Sequence, residues 1–324
     1  MRNTCLNMVY TLAKEDERVV FIGSDLSPGL LSDMQRDMPE RYYMEGIAEA
    51  NLIGMAAGLA MEGYIPYVNT IATFITRRCY EQVAVDLCLH NLPVRLIGNG
   101  GGLVYAPLGP THLAIEDMAI LRTLPNMTVV AVADAEEMKS LMRASLDWDR
   151  PLYIRLAKGG DPIISRKENG FTIGRAITMR RPETPRPVAF MATGIMTTHC
   201  LAAAEILAKS GIDVSVLHVH TVKPLDEAAV LEHAEDARLV VTVEEGVAIG
   251  GLGSGITDVL VAQRRRALPP VLRLALPDAF PHNYGVQNDL LELYGLMPHQ
   301  IAASVTGALG RVEVGSVRGG DAGV

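Results

Sequence analysis

The chain has 324 residues, 49% hydrophobic and 20% charged, with a net charge of −8, enough for roughly two ordinary domains with real cores. Its one basic block, Arg264-Arg265-Arg266, reads as the exposed end of a helix, so nucleic acid and anionic membranes are not expected as partners. No uninterrupted apolar run reaches membrane-spanning length, Met1-Arg2-Asn3-Thr4 lacks a signal-peptide core, and Cys5, Cys79, Cys88 and Cys200 show no metal-ligand spacing; a soluble cytoplasmic protein with reduced thiols is expected.

In chain order, Asn3 or Thr4 is expected to cap an opening helix through Leu12. Apolar, β-rich runs then alternate with helical periods. Val19-Val20-Phe21-Ile22 reads as a strand, a helix follows Glu49, and Ile65-Pro66-Tyr67-Val68 reads as the next strand. A helix is expected from about Phe74 to His90, a strand at Val94-Arg95-Leu96-Ile97, a helix around Ile115 to Leu124, a strand from Thr128 to Val132, a helix from Ala135 and a strand at Leu152-Tyr153-Ile154-Arg155. Continuous rather than alternating apolar strands between helices predict a parallel sheet covered on both faces, so residues 1–165 form one doubly wound α/β domain. From 166 to 187 the composition turns to charge and proline, as in Arg180-Arg181-Pro182-Glu183-Thr184-Pro185, and predicts a linker with short extended pieces. The alternation restarts at Val188-Ala189-Phe190-Met191-Ala192 and predicts a second, smaller α/β domain over 188–312, followed by a disordered tail over 313–324.

Two glycine-rich stretches invite a phosphate reading. Gly98-Asn99-Gly100-Gly101-Gly102 follows a strand, and Gly250-Gly251-Leu252-Gly253-Ser254-Gly255 precedes a helix. The first lacks the Lys-Ser/Thr of a P-loop, and the second follows Glu244-Glu245, which would repel an anion; close backbone approach at a domain contact is the better reading. Gly109-Pro110-Thr111-His112 closes a long loop at the carboxyl end of a strand, where α/β proteins bind ligands, so His112 is a candidate contact for a hydroxyl or phosphate and otherwise a local hydrogen-bonder. Tyr67, Phe74, Tyr80 and Tyr105 are core aromatics by default, though one could face a flat ligand ring.

The run Leu52-Ile53-Gly54-Met55-Ala56-Ala57-Gly58-Leu59-Ala60 is apolar nearly all round and carries two glycines, which predicts a helix buried on every side. Glu49 stands at its entrance. A carboxylate there is stabilised by the helix N-terminus and penalised by burial, so it either caps the helix or needs a specific partner, such as a heteroaromatic ring nitrogen.

Laid out in order, these residues resemble the C-terminal half of transketolase, including stand-alone C-terminal subunits of split transketolases. The resemblance runs through Gly23-Ser24-Asp25-Leu26, Gly46-Ile47-Ala48-Glu49-Ala50-Asn51, Thr73-Phe74 with Tyr80-Glu81-Gln82, Gly109-Pro110-Thr111-His112, Lys223-Pro224-Leu225-Asp226, Val243-Glu244-Glu245 and Gly250-Gly251-Leu252-Gly253. It implies a pyrimidine-binding domain followed by a transketolase C-terminal domain. It further implies that Glu49 hydrogen-bonds the aminopyrimidine of thiamine diphosphate and so favours the tautomer that can deprotonate the thiazolium. By the same resemblance Phe74 stacks on that ring, Asp25 and Ile47 contribute to the cofactor site, His112 contacts substrate oxygens and Lys158 meets a substrate phosphate.

The family's Gly-Asp-Gly motif, which holds the diphosphate through Mg²⁺, does not occur in this sequence. The resemblance therefore implies a separate N-terminal-half subunit that anchors the metal, active sites formed between chains, and an α2β2 assembly. Three positions depart from the pattern: Ala50 and Gly246 stand where histidines are usual, and Leu108 where a sugar-recognising Asp is usual, which points to an altered sugar or sugar-phosphate substrate. The nearest rival is the β subunit of a 2-oxo acid dehydrogenase's decarboxylating component, against which Gly109-Pro110-Thr111-His112 and Lys223-Pro224-Leu225-Asp226 speak. A non-catalytic stabilising or regulatory subunit is a further alternative, against which the intact Glu49 speaks.

Overall fold

The computed structural model describes residues 1–26, 29–263 and 268–319, with side chains as far as 311. The basic triplet at 264–266 and the last five residues of the expected tail lie outside the described residues. In the first half, α1 (Arg2–Glu15), β1 (Val19–Gly23), α2 (Ser32–Asp37), β2 (Tyr42–Met44), α3 (Glu49–Met61), β3 (Ile65–Ile71), α4 (Ala72–Thr76) and α5 (Tyr80–Gln82) lead to a π-helical segment, Val83–Leu89. β4 (Arg95–Asn99), α6 (Asp117–Arg122), β5 (Thr128–Val130), α7 (Ala135–Leu146) and β6 (Leu152–Leu156) complete it. The second half contains β7 (Ile177–Arg180), β8 (Val188–Ala192), α8 (Met196–Ala208), β9 (Val214–His218), β10 (Thr221–Lys223) and α9 (Glu227–Ala234). β11 (Leu239–Val247), α10 (Leu252–Ala262), β12 (Val271–Leu276), α11 (Gln287–Leu293) and α12 (Pro298–Gly319) follow.

The strands form two sheets. One has the order β10-β5-β6-β4-β3-β1-β2 and the other β12-β11-β8-β9-β7. All neighbours are parallel except β10 in the first and β7 in the second. β1, β4, β6, β8 and β9 are buried at every residue, which is why they read as unbroken apolar runs: helices cover both faces of each sheet. Two α/β units result, as expected.

Several details differ from the sequence expectation. α1 starts at Arg2 without a side-chain cap, because burial of Cys5, Leu6, Val9 and Leu12 at helical spacing sets its start rather than Asn3 or Thr4. The single helix expected from Phe74 to His90 is broken between α4 and α5 and continues as the π-helical segment. α3 is not buried all round: Leu52, Ile53, Ala56 and Ala57 pack inward, while Ala50, Asn51, Gly54 and Gly58 are exposed and an added Cβ at either glycine would meet nothing within 4 Å. Within the expected linker, β7 pairs antiparallel with β9 as a sheet edge. α12 carries helical backbone on to Gly319, past the expected start of the tail.

β10 crosses between the halves. It follows β9 in the second half yet pairs antiparallel with β5 in the first sheet. Lys223 there donates through Nζ to the carbonyls of Arg122, at 2.9 Å, and Leu124. Asp226 caps α9 at Ala229 and accepts a 3.0 Å hydrogen bond from the Ala176 backbone N–H. The Lys223-Pro224-Leu225-Asp226 motif is thus a clasp between the halves.

Candidate active site

β1, β2, β3, β4 and β6 run parallel and deliver their carboxyl ends to one edge of the first sheet, where ligands bind in α/β folds. A turn at Gly46, with φ of 73°, carries the chain from β2 into α3. Glu49 is the first residue of that helix and is 2% exposed. Its Oε2 accepts a 2.8 Å hydrogen bond from Arg78 Nη1. The Arg78 guanidinium carbon lies 3.9 Å from the centroid of the Phe74 ring, a cation–π contact. Phe74 in turn meets the His112 ring edge-on, with centroids 5.2 Å apart. Glu49, Phe74 and His112 are thereby brought into one cluster, joined by an arginine that the sequence analysis did not single out. Its signal was available: Arg78 lies four residues beyond Phe74, the separation of same-face neighbours in a helix.

The His112 loop is held from both sides. Thr73 Oγ1 donates to the Leu113 carbonyl at 3.1 Å, and Arg77 pairs with Glu116 at 3.0 Å and reaches the Thr111 carbonyl at 3.3 Å. Thr111 Oγ1 and His112 Nδ1 are hydrogen-bonded at 2.9 Å, which orients the imidazole. Gly109 has a φ of 75° and lies against the Tyr284 ring, where a Cβ would come within 2.7 Å. Tyr284, from the second half, therefore leans over this loop. Leu108 presents an apolar side chain, 49% exposed.

The other expected site residues stand further out. Asp25 is exposed on the loop after β1, 3.2 Å from the Ser24 hydroxyl, and Ile47 is 68% exposed two residues before Glu49. Lys158 is exposed on the loop after β6, in a cleft lined also by Thr198, His199, Gln287 and Asn288, and touches none of the Glu49 cluster.

Both glycine-rich stretches serve close backbone approach. Gly102 faces Glu245, whose Oε1 accepts from the Leu103 N–H at 2.8 Å and from Gln287 Nε2 at 2.7 Å. Glu244 caps α10 itself, accepting from the Leu252 and Gly253 N–H groups at 2.8 Å each, so a built-in carboxylate fills the place a phosphate would take. Burial pushes both carboxyls above the ordinary glutamate range. At the centre of this contact, Arg155 donates to Asp117 Oδ2 at 2.8 Å and to the carbonyls of Ala114 and Glu245 at 3.0 and 2.8 Å; Tyr153 donates to the same Asp117 oxygen at 2.7 Å. Burial alone would weaken the Arg155 charge, but Asp117 and Glu245 hold its guanidinium protonated beyond the usual arginine range.

Among the described residues no three His, Cys, Asp or Glu side chains gather in a way that could hold a metal ion. All four cysteines are buried free thiols, and no described helix is long and apolar enough to cross a membrane.

This architecture of two largely parallel α/β sheets, one after the other in the chain, is that of the C-terminal half of the transketolase fold. Residues 1–160 match the transketolase pyrimidine-binding domain, and residues 179–301 match the transketolase C-terminal domain. The chain is 36% identical over 302 residues to the 6-deoxy-6-sulfo-D-fructose transketolase subunit SqwH of Clostridium sp. (strain MSTE9), covering 93% of this chain and 92% of that one. It is 37% identical to a 1-deoxy-D-xylulose-5-phosphate synthase of Caldanaerobacter subterraneus, but spans only 46% of that protein's length. Among solved structures, a split-gene transketolase described as an inactive β4 tetramer superposes with a TM-score of 0.85 at 34% identity, covering 95% of this chain and 97% of that one. A Pichia stipitis transketolase shares the fold at 18% identity, with a TM-score of 0.77 over 94% of this chain and 45% of that one. The chain belongs to the transketolase family and corresponds to its C-terminal half.

Proposed function

We propose that the chain is the C-terminal subunit of a split transketolase-like enzyme that transfers a two-carbon ketol unit from a ketose or ketose phosphate to an aldehyde through thiamine diphosphate. The observation that carries this is Glu49: a carboxylate almost without solvent contact at a helix start, with Oε1 accepting no hydrogen bond from the described residues and an aromatic ring nearby. A carboxylate this little exposed, with its free oxygen at the site surface, suits a heteroaromatic N–H or a shared proton from a ligand that excludes the remaining water. When bound, the coenzyme supplies a nucleophilic carbon and an electron sink for breaking a carbon–carbon bond beside a carbonyl. In this reading Glu49 holds the proton at the pyrimidine ring, Phe74 offers its face to that ring, Asp25 and Ile47 border the coenzyme, His112 hydrogen-bonds substrate oxygens and Lys158 meets a phosphate.

Mg²⁺ and the diphosphate belong to a separate N-terminal-half subunit, in an α2β2 assembly in the cytoplasm. Two relatives favour this: the sulfofructose transketolase subunit and the split-gene transketolase are each matched over nearly their full length. The exposed face of α3, with Ala50, Gly54 and Gly58 open to solvent, suits close approach by such a partner. In domain terms, 1–165 binds the pyrimidine, 166–187 links, 188–312 is the C-terminal domain and 313–324 is a tail. Leu108 cannot hydrogen-bond a sugar hydroxyl, which favours a specialised donor or acceptor.

The test is reconstitution with candidate N-terminal subunits, followed by thiamine diphosphate binding and ketol-transfer assays against 2-oxo acid decarboxylation. Glu49→Gln is expected to lower turnover at least a hundredfold while leaving the assembly intact, a loss of about 2.7 kcal/mol of transition-state stabilisation. Full activity in that variant, or decarboxylation in place of ketol transfer, overturns the assignment.

A further inference from the structure

Arg78 is fixed at two points. Its Nη1 donates to Glu49 Oε2 at 2.8 Å, and its guanidinium plane carries the charge 3.9 Å above the Phe74 centroid. Only an arginine does both: a planar cation can stack on a ring while its edge nitrogens donate, whereas an ammonium is a point charge. The side chain is 45% exposed at its own end, while the carboxylate it holds is 2% exposed. Its neighbour Arg77 turns the other way, to Glu116 and the Thr111 carbonyl, so the two adjacent arginines have separate tasks.

The contact is one-sided. Arg78 takes Oε2, and Oε1 accepts nothing from the described residues. Glu49 thus has one oxygen engaged and one on offer, in an orientation set by the guanidinium. A buried carboxylate without such a partner would bear its desolvation cost alone and would be free to turn about its side-chain torsions.

We propose that Arg78 is a positioning residue for Glu49: it holds Oε2 so that Oε1 is presented to the coenzyme's aminopyrimidine, and it spans the carboxylate and Phe74 so that the two move as one unit. This rests on the thiamine-dependent reading above, and it gives Arg78 no contact with the reacting carbon. Charge-assisted hydrogen bonds are strong enough for the effect to be measurable.

The experiment uses the chain assembled with its N-terminal-half partner and compares wild type, Arg78→Gln, Arg78→Lys and Glu49→Gln by calorimetric titration with thiamine diphosphate, steady-state kinetics and thermal melting. Arg78→Gln is expected to bind the coenzyme about tenfold more weakly and to lose kcat, with the ketose KM and the melting temperature unchanged. Arg78→Lys, which keeps a charge on Oε2 but loses the stack on Phe74, is expected to recover part of the coenzyme affinity. Coenzyme binding by Arg78→Gln as tight as wild type or tighter overturns the proposal, the tighter case marking Arg78 as an occupant the coenzyme must displace. A loss that Arg78→Lys does not recover and that comes with a lowered melting temperature also overturns it, as a purely structural role. If Glu49→Gln itself binds coenzyme and turns over as wild type, the thiamine reading fails, whatever Arg78 does. If Glu49→Gln is inactive while Arg78→Gln is normal, only the positioning role fails.

Discussion

Arg155 is a cation removed from water and surrounded by acceptors: Asp117 and the carbonyls of Ala114 and Glu245. Two of those carbonyls come from different halves of the chain, so one side chain ties the sheet end to the domain contact. Arg155→Ala leaves Asp117 buried with only the Tyr153 hydroxyl. Breaking a buried pair from one side costs about 3–5 kcal/mol, which urea denaturation of the variant is expected to reveal. At this scale the sequence named Glu49, Phe74 and His112, because each sits where a general rule attaches meaning to it: a helix start, an aromatic in a chain poor in them, a loop after a strand. It did not name Arg78 or Tyr284. Spacing from Phe74 could place Arg78 beside that ring, but its pairing with Glu49, 29 residues away, and the contact of Tyr284 with Gly109, 175 residues away, join segments that no local rule connects.

Among elements, α7 depends on one residue outside it. Asp134 Oδ1 accepts from the Glu136 and Glu137 N–H groups at 2.9 and 3.0 Å, and Oδ2 from the Ile164 and Ser165 N–H groups at 2.8 and 2.7 Å. Burial would raise its carboxyl, but these donors and the Ser165 hydroxyl bring it below the usual aspartate range. Asp134→Ala removes a helix cap and unties the segment after β6 together, an expected loss of about 2–3 kcal/mol, with faster amide exchange confined first to Glu136, Glu137, Ile164 and Ser165. The buried parallel strands were legible because burial on both faces demands a continuous apolar run. β7 and β10 were not, since a three- or four-residue edge strand takes its conformation from the strand it pairs with. α3 was legible as a helix, but its exposed face was not, because composition cannot say whether an apolar surface is covered by the same chain.

For the whole molecule, the two sheets are coupled through buried polar groups as well as apolar packing. Glu137 on α7 pairs with His218 at the end of β9 at 2.9 Å, and His218 Nδ1 meets Thr197 Oγ1 at 2.6 Å. His220, two residues on, stacks on Phe171 with centroids 4.5 Å apart. Burial pushes the His220 imidazole down to about 4, against 6.5 ordinarily, despite the opposing pull of Glu137. A base with a lowered folded pKa is protonated more readily in the unfolded chain. Its neutral form therefore costs nothing above about pH 6.5, and stability drains away as the pH falls from there toward 4, by about 3 kcal/mol. Chemical denaturation at pH 7 and pH 4.5 is expected to give a smaller difference for His220→Gln than for wild type. An unchanged difference would place the acid sensitivity in other groups.

The sequence by itself determined the class of fold, two α/β units in order, and marked the carboxylate at residue 49, because hydrophobic periodicity and helix-end chemistry are local properties. Only the tertiary structure decided that β10 joins the first sheet, that Glu244 fills the glycine-rich helix start, and that Arg78 is the partner of Glu49. Those outcomes turn on which buried charges and strand edges find one another across the chain, and burial makes each pairing obligatory without stating in the sequence who the partner is.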